Sequence, residues 1–306
     1  MSTLSGRGLI GNMLGLGIFW GLSPVITRGL TIVGVTPVQI IVFSGLIVGF
    51  CLWVLQRFTD RGDFANKRLW FYGLGCAVFL NLPFGLSLYV ITKIPLATYS
   101  IIGSTTPFFG YALALMMGLE RANWRRILAL IFGFLGSGLL LLPMSNIEPS
   151  AEISSFIITI SFGMPLFYAL YHIFAARMWP SGVGTRQVGV VESLCSGMIA
   201  LPVLIFMMGN ESLNMSTLGL IGLIAISGLW VIERLTFFNL IRNFGPISTV
   251  QAIYISTISG VIFGHYFFDE PIDWRIAVSA GLVIVALWLN ARAQALILMS
   301  TLSKTP

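Results

Sequence analysis

The sequence predicts an all-α integral membrane protein: ten transmembrane helices arranged as two inverted five-helix repeats, residues 1–147 and 148–306, with both termini cytoplasmic. Three observations predict it. Hydrophobic residues make up 57% of the chain and charged residues 9%, against roughly 45–50% and about 25% in soluble domains, and the mean hydropathy is +0.93. The basic residues gather in the connectors of one side. A phrase at one position, Glu120-x-x-Asn123-Trp124-Arg125, returns at an offset of 150 as Glu270-x-x-Asp273-Trp274-Arg275.

A membrane helix needs roughly 20 mainly apolar residues, with about 17 as the lower limit. Span 1, 9–28, follows Arg7 and has no small-x-small cleavage site behind it, so it reads as a retained helix and not as a leader. Span 2, 37–55, starts at Thr36-Pro37, and span 3, 69–91, follows Lys67-Arg68. Ile94-Pro95 separates span 3 from span 4, 96–117. Span 5, 125–144, opens on the Arg125-Arg126 pair, and span 6 covers 153–176. Span 7, 187–209, follows Arg186, and span 8, 217–241, stops at Arg242. Gly245-Pro246 turns the chain into span 9, 246–267, and Trp274-Arg275 leads into span 10, 276–296.

Cytoplasmic connectors carry the excess of Lys and Arg. With the N-terminus inside, Arg7, Arg57, Arg61, Lys67, Arg68, Arg121, Arg125, Arg126, Arg177, Arg186, Arg242, Arg292 and Lys304 fall on the cytoplasmic side. Only Arg28, Lys93 and Arg275 fall outside. Five spans per half is an odd number, so the second half enters the membrane inverted, which is a construction typical of secondary transporters. The net charge of +6 thus serves topology, because no basic stripe or patch exists for nucleic acid. Cys51, Cys76 and Cys195 lie far apart within apolar runs and read as buried, inert thiols.

Small residues at four-residue spacing let membrane helices approach closely. Thr106, Gly110 and Ala114 in span 4 stand where Ser256, Gly260 and Gly264 stand in span 9. Gly11/Gly15, Gly17/Gly21 and Gly45/Gly49 repeat the spacing in spans 1 and 2.

Trp20-Gly21, the stretch Ile94 to Pro107, the Glu120 connector with Gly133-x-x-Gly136, and Phe244-Gly245-Pro246 leading to Glu270-Pro271 together resemble the EamA-type ten-helix carriers of the drug/metabolite transporter superfamily. The resemblance covers essentially the whole chain, and amino-acid exporters of the YddG kind are its nearest guide. It implies a structural role at the membrane edge for Glu120 and Glu270, and it implies a bacterial inner-membrane protein. The chain departs from the family in lacking an arginine around Phe43 and Ser44, and in carrying Thr257 where span 4 has Pro107.

No catalytic or nucleotide-binding signature appears: no Gly-x-Ser-x-Gly, no His-Glu-x-x-His, no Gly-x-x-x-x-Gly-Lys. With two histidines in the chain, a multi-histidine metal site is excluded. Neither a cofactor nor an enzymatic activity is expected. The expected partners are a small-molecule substrate, a coupling ion such as H⁺, and the lipid bilayer.

Ionisable groups at membrane depth cost about 2.5–3.5 kcal/mol on insertion scales and mark functional candidates. Here they are His172 in span 6, Glu192 in span 7, and Glu233 and Arg234 in span 8. At 1.5 Å per residue, Glu233 lies about 12 Å from the cytoplasmic boundary. Neighbours on a helix point about 100° apart, so the expectation is that Arg234 pairs with Glu192 while Glu233 faces the cavity. Two readings stand: an ion pair that only locks helices, or a part in substrate or proton binding.

Trp20, Tyr89, Tyr99, Tyr168, Tyr171, Trp230 and Tyr254 lie within spans, whereas Trp53, Trp70, Trp124, Trp179 and Trp274 fit the interfacial belts. The substrate-binding candidates are Trp20, Tyr89, Tyr99, Tyr168, Trp230, Glu233, Gln251 and Tyr254, with Ser100, Thr105 and Ser256 as further polar lining. Pro24, Pro83, Pro107, Pro165 and Pro202 fall inside spans and predict kinks. The functional expectation is gradient-driven export of amino acids or related compounds by alternating access. The alternatives are uptake of an organic cation, choline- or polyamine-like, and a non-transporting membrane subunit.

Overall fold

The computed structural model describes residues 6–59, 62–94, 96–119, 121–139, 155–208, 215–269 and 274–302. Twelve helices and no strand occur among the described residues. They are α1 Gly6–Ile32, α2 Pro37–Thr59, α3 Lys67–Val90, α4 Leu96–Gly103, α5 Thr106–Met116, α6 Trp124–Leu139, α7 Ser155–Ser161, α8 Gly163–Arg177, α9 Thr185–Met208, α10 Thr217–Val250, α11 Ala252–Phe268 and α12 Arg275–Leu302. Among the described residues six helical stretches, one of them running through α7 and α8, are long and apolar enough to cross a membrane, and Thr106–Met116, Ala252–Phe268 and Ala277–Asn290 are shorter apolar helices. The protein is a multi-pass membrane protein.

The helices depart from the ten uninterrupted spans at three places. Span 4 breaks at Ser104 and Thr105 into α4 and α5. The cause is local: Pro107 has no N–H for the carbonyl of Gly103, and the Thr106 hydroxyl donates to that carbonyl at 2.6 Å instead. Span 6 breaks at Phe162, between α7 and α8, two residues before Met164-Pro165. Pro107 and Pro165 therefore stand in first turns, where a missing N–H costs nothing, and only Pro24, Pro83 and Pro202 of the five predicted kinks lie inside helices. Spans 8 and 9 join in α10, which carries the expected turn as one non-helical residue, Gly245, at φ 80° and ψ 171°. The positive φ is why glycine stands there. The Glu120 and Glu270 phrase heads lie outside the described residues, as does the boundary at 147.

The main helix contacts join the first half to the second: α2 packs on α9, α6 on α12, α1 on α11 and α10, α3 on α8 and α9, and α5 on α8. Glycine makes two of these contacts possible. A Cβ at Gly21 would stand 2.8 Å from the Gly260 nitrogen and 2.9 Å from the Ser256 carbonyl, and one at Gly45 would stand 2.8 Å from the Gly197 nitrogen. The Gly11/Gly15 pair meets nothing within 4 Å, so that stripe is not a packing face. Large apolar side chains such as Phe50, Phe58, Phe71, Phe206 and Ile224 cover the outer surface, as lipid-facing positions must.

The largest apolar core gathers Leu9, Met13, Leu16, Leu69, Tyr72, Tyr171, Val188, Phe237, Phe238 and Ile241. It lies beside one end of an internal cavity.

Candidate functional site

The cavity sits between α1, α2, α3, α4, α8, α9, α10 and α11, with a volume of about 150 Å³. One helix face builds each wall. On α1 the lining residues are Trp20, Ser23, Pro24 and Thr27, and on α10 they are Trp230, Glu233, Arg234 and Phe237. Both runs follow the i, i+3, i+4, i+7 spacing that puts side chains on one helix face. Tyr168, Tyr171 and His172 contribute from α8, Tyr99 and Ser100 from α4, and Ser193 and Ser196 from α9.

Charge collects at the end bounded by Phe237. The Arg234 Nε lies 3.1 Å from the Glu192 Oε2, and its NH1 lies 3.1 Å from the Glu233 Oε2. The expected Arg234–Glu192 pair therefore forms. Arg234 also pairs with the preceding Glu233, because the guanidinium fork carries donors in several directions and one can fold back. Both residues line the cavity. Trp20 donates its indole N–H to Glu233 Oε1 at 2.8 Å. Glu192 is fully buried behind Arg234, where Tyr171 and Ser193 donate to it at 3.4 and 3.3 Å.

His172 is 5% exposed and stands edge-on to Trp20 with ring centroids 5.8 Å apart. Its Nδ1 lies 2.5 Å from the Tyr168 carbonyl oxygen. A carbonyl only accepts, so Nδ1 carries the hydrogen and Nε2 of the neutral ring is an acceptor. That Nε2 is buried and has no partner. Phe237 packs beside this group: it stacks on Tyr171 at 5.3 Å and touches the rings of His172, Phe238 and Trp20 at 5.2, 5.1 and 6.2 Å.

Towards the other end the groups are neutral. Trp230 donates to the Ser23 hydroxyl at 3.0 Å and stands edge-on to Phe84. The hydroxyls of Ser87 and Tyr168 are 3.3 Å apart.

Of the predicted binding residues, Trp20, Tyr99, Tyr168, Trp230 and Glu233 come together on the cavity wall, as do Ser100 and Ser256. Tyr89 does not: it is 47% exposed and borders an outer groove with Lys93 and Thr36. Tyr254 does not either, because its ring fills the space over Gly133 of α6. Gln251 sits one turn before Tyr254, fully buried with both amide atoms unpartnered and off the cavity wall. Thr105 is spent on the Ile102 carbonyl at 2.7 Å. The physical reason is common to the three α10–α11 and α4–α5 cases: the helix breaks rotate the register, and side-chain direction cannot be read through a break. Sequence reasoning missed Ser23, Thr27, Ser87, Ser193 and Ser196. A signal for the first two was present, since they share a helix face with Trp20.

Three of the five expected interfacial tryptophans have cations over their rings: Arg57 over Trp53 at 5.4 Å, Arg125 over Trp124 at 4.6 Å and Arg242 over Trp179 at 5.7 Å. The three cysteines are free thiols.

Fold and site together define a helical, multi-pass membrane protein with an internal cavity whose mainly apolar wall carries a few polar and charged groups. Residues 9–142 match the profile of the EamA-like transporter family. One protein of known crystal structure superposes with a TM-score of 0.69 over 95% of this chain and 99% of its own, at 13% identity, a likeness that shows the fold. No curated protein sequence matches this chain.

Proposed function

We propose that the protein is a secondary transporter that moves a small organic metabolite, of the size of an amino acid or related compound, out of a bacterial cell by alternating access between two inverted five-helix repeats. The cavity carries the reading: its walls come from both halves, and polar groups line it at membrane depth. The helix pairing supports the repeat. Under the offset of 150 the packing of α1 on α11 has its counterpart in α8 on α5, α3 on α9 in α10 on α2, and α3 on α8 in α10 on α1, while α2 meets its own counterpart α9 and α6 its counterpart α12. A two-fold axis in the membrane plane generates that set of pairs. The charge asymmetry of the connectors supports cytoplasmic termini and the inner membrane.

Purified protein in liposomes preloaded with a labelled mixture of amino acids and amines provides the test. The expected result is saturable release of at least one compound without ATP. Release indistinguishable from protein-free liposomes for every compound, with ion gradients of either sign, overturns the reading.

A further inference from the structure

Resting on the transporter reading, the cavity's charge balance specifies what is carried. We propose that the site binds a small primary or secondary ammonium ion with an apolar body, its N–H groups donating to Glu233.

Two independent observations point there. The first is a count of charge. Two carboxylates, Glu192 and Glu233, share one guanidinium, that of Arg234. No further Lys or Arg lines the cavity among the described residues. Arg28, the basic residue on α1 beyond Thr27, holds its guanidinium over the Phe268 ring at 4.5 Å. With both carboxylates ionised, one negative charge remains at a place where Glu192 is fully buried and Glu233 5% exposed. A buried carboxylate in excess takes up a proton or a cation, and an ammonium ion competes for that place.

The second observation concerns the wall around that charge. Glu233 lines the cavity as an acceptor and holds the Trp20 indole N–H at 2.8 Å. A carboxylate at a cavity wall calls for a ligand that donates N–H groups and carries a positive charge, and an alkylammonium does both whereas an alcohol or a carboxylate does not. The indole face adds attraction for a cation. Trp20, Tyr168, Phe84 and Trp230 surround the space left for the apolar body. A cavity of about 150 Å³ holds a molecule near the size of benzene, so the body is a short branched alkyl group or one small ring.

The test is a set of ligands of equal shape offered to the purified full-length chain, with binding read by calorimetry. Isopentylamine is expected to bind at least tenfold more tightly than isopentanol, isovalerate, leucine or N,N,N-trimethylisopentylammonium. This comparison uses the native sequence, so no misfolded variant confuses it. Glu233→Gln is expected to weaken amine binding at least tenfold. Glu192→Gln should weaken it about as much although its carboxylate lies off the cavity wall, because the remaining Glu233–Arg234 pair is neutral. Glu192→Gln with Arg234→Gln restores the single negative charge and should recover amine binding. Leucine or isopentanol binding as tightly as the amine, no amine binding at all, or an undiminished affinity in Glu192→Gln overturns the proposal. Tight leucine binding with liposome flux would leave the transporter reading standing, whereas tight amine binding without any flux would sink that reading alone.

Discussion

The indole nitrogen of Trp20 donates to Oε1 of Glu233 at 2.8 Å, tying α1 in the first half of the chain to α10 in the second. The carboxylate is also held by Arg234, whose NH1 lies 3.1 Å from its Oε2, so the indole contact is a second tie that fixes ring and carboxylate at the cavity wall. Trp20→Phe keeps the ring and removes the donor. Hydrogen bonds to charged groups contribute about 1.5–3 kcal/mol, and thermal unfolding of Trp20→Phe should show a loss of that order. An unchanged melting temperature would mean that Glu233 is held by Arg234 alone.

Arg234 is the shared partner of two carboxylates, so substitutions around it should add up and not cancel. Glu192→Gln should destabilise by about 3 kcal/mol, the lower end of the cost of breaking a buried pair, since Glu233 remains to pair with Arg234. Removing the cation as well, with Glu192→Gln and Arg234→Met, should add to that loss, because Glu233 is then left buried without its partner. Urea unfolding in mild detergent measures both. A double variant more stable than the single one would contradict the ion-pair account.

Close helix approach depends on particular glycines and not on glycine spacing as such. Gly21→Ala drives a methyl group onto the α11 backbone and should cost about 1–3 kcal/mol by overpacking, and Gly21→Val should abolish the folded yield. Gly11→Ala and Gly15→Ala meet nothing within 4 Å and should be neutral or stabilising by about 1 kcal/mol through helix propensity. Melting temperatures of the three alanine variants decide it.

Two aromatic residues proposed together for binding should separate by experiment. Trp230→Ala should weaken ligand binding because Trp230 stands on the cavity wall. Tyr254→Ala should instead lower stability by about 3–5 kcal/mol with little change in affinity of the surviving fold, because Tyr254 is fully buried over Gly133. Trp53→Ala, at a half-exposed interfacial site, should alter neither. Equal affinity losses in all three would show that the rings act through stability.

The inverted arrangement has a direct chemical readout. Single cysteines at Ala122 and Trp274, in a background without Cys51, Cys76 and Cys195, should react with a membrane-impermeant maleimide from opposite sides. Labelling of both from one side would sink the repeat.

Composition was enough for the class of the protein, and its apolar runs marked most helices to within a few residues. The charged cluster was legible too, because four ionisable groups within apolar stretches have few ways to be satisfied, and Glu192 with Arg234 is one of them. What the sequence could not convey was direction after an interruption. Gln251 and Tyr254 were assigned to the cavity on polarity, yet the break at Gln251 and the turn at Gly245 (φ 80°) set the rotation of α11, and that rotation gives Tyr254 to Gly133. Small hydroxyls such as Ser87 and Ser196 were invisible for a different reason. A serine in a membrane helix can bond to its own backbone, so its presence carries no sign of a cavity.

Phe237 touches four rings at once, those of Trp20, Tyr171, His172 and Phe238. These rings come from three helices, α1, α8 and α10, so Phe237 joins three elements at one point. Ring pairs contribute roughly 0.5–1.5 kcal/mol each beyond the area they bury. Truncating this one side chain therefore loosens three helices at once, and the cost should exceed that of truncating a ring held by a single neighbour.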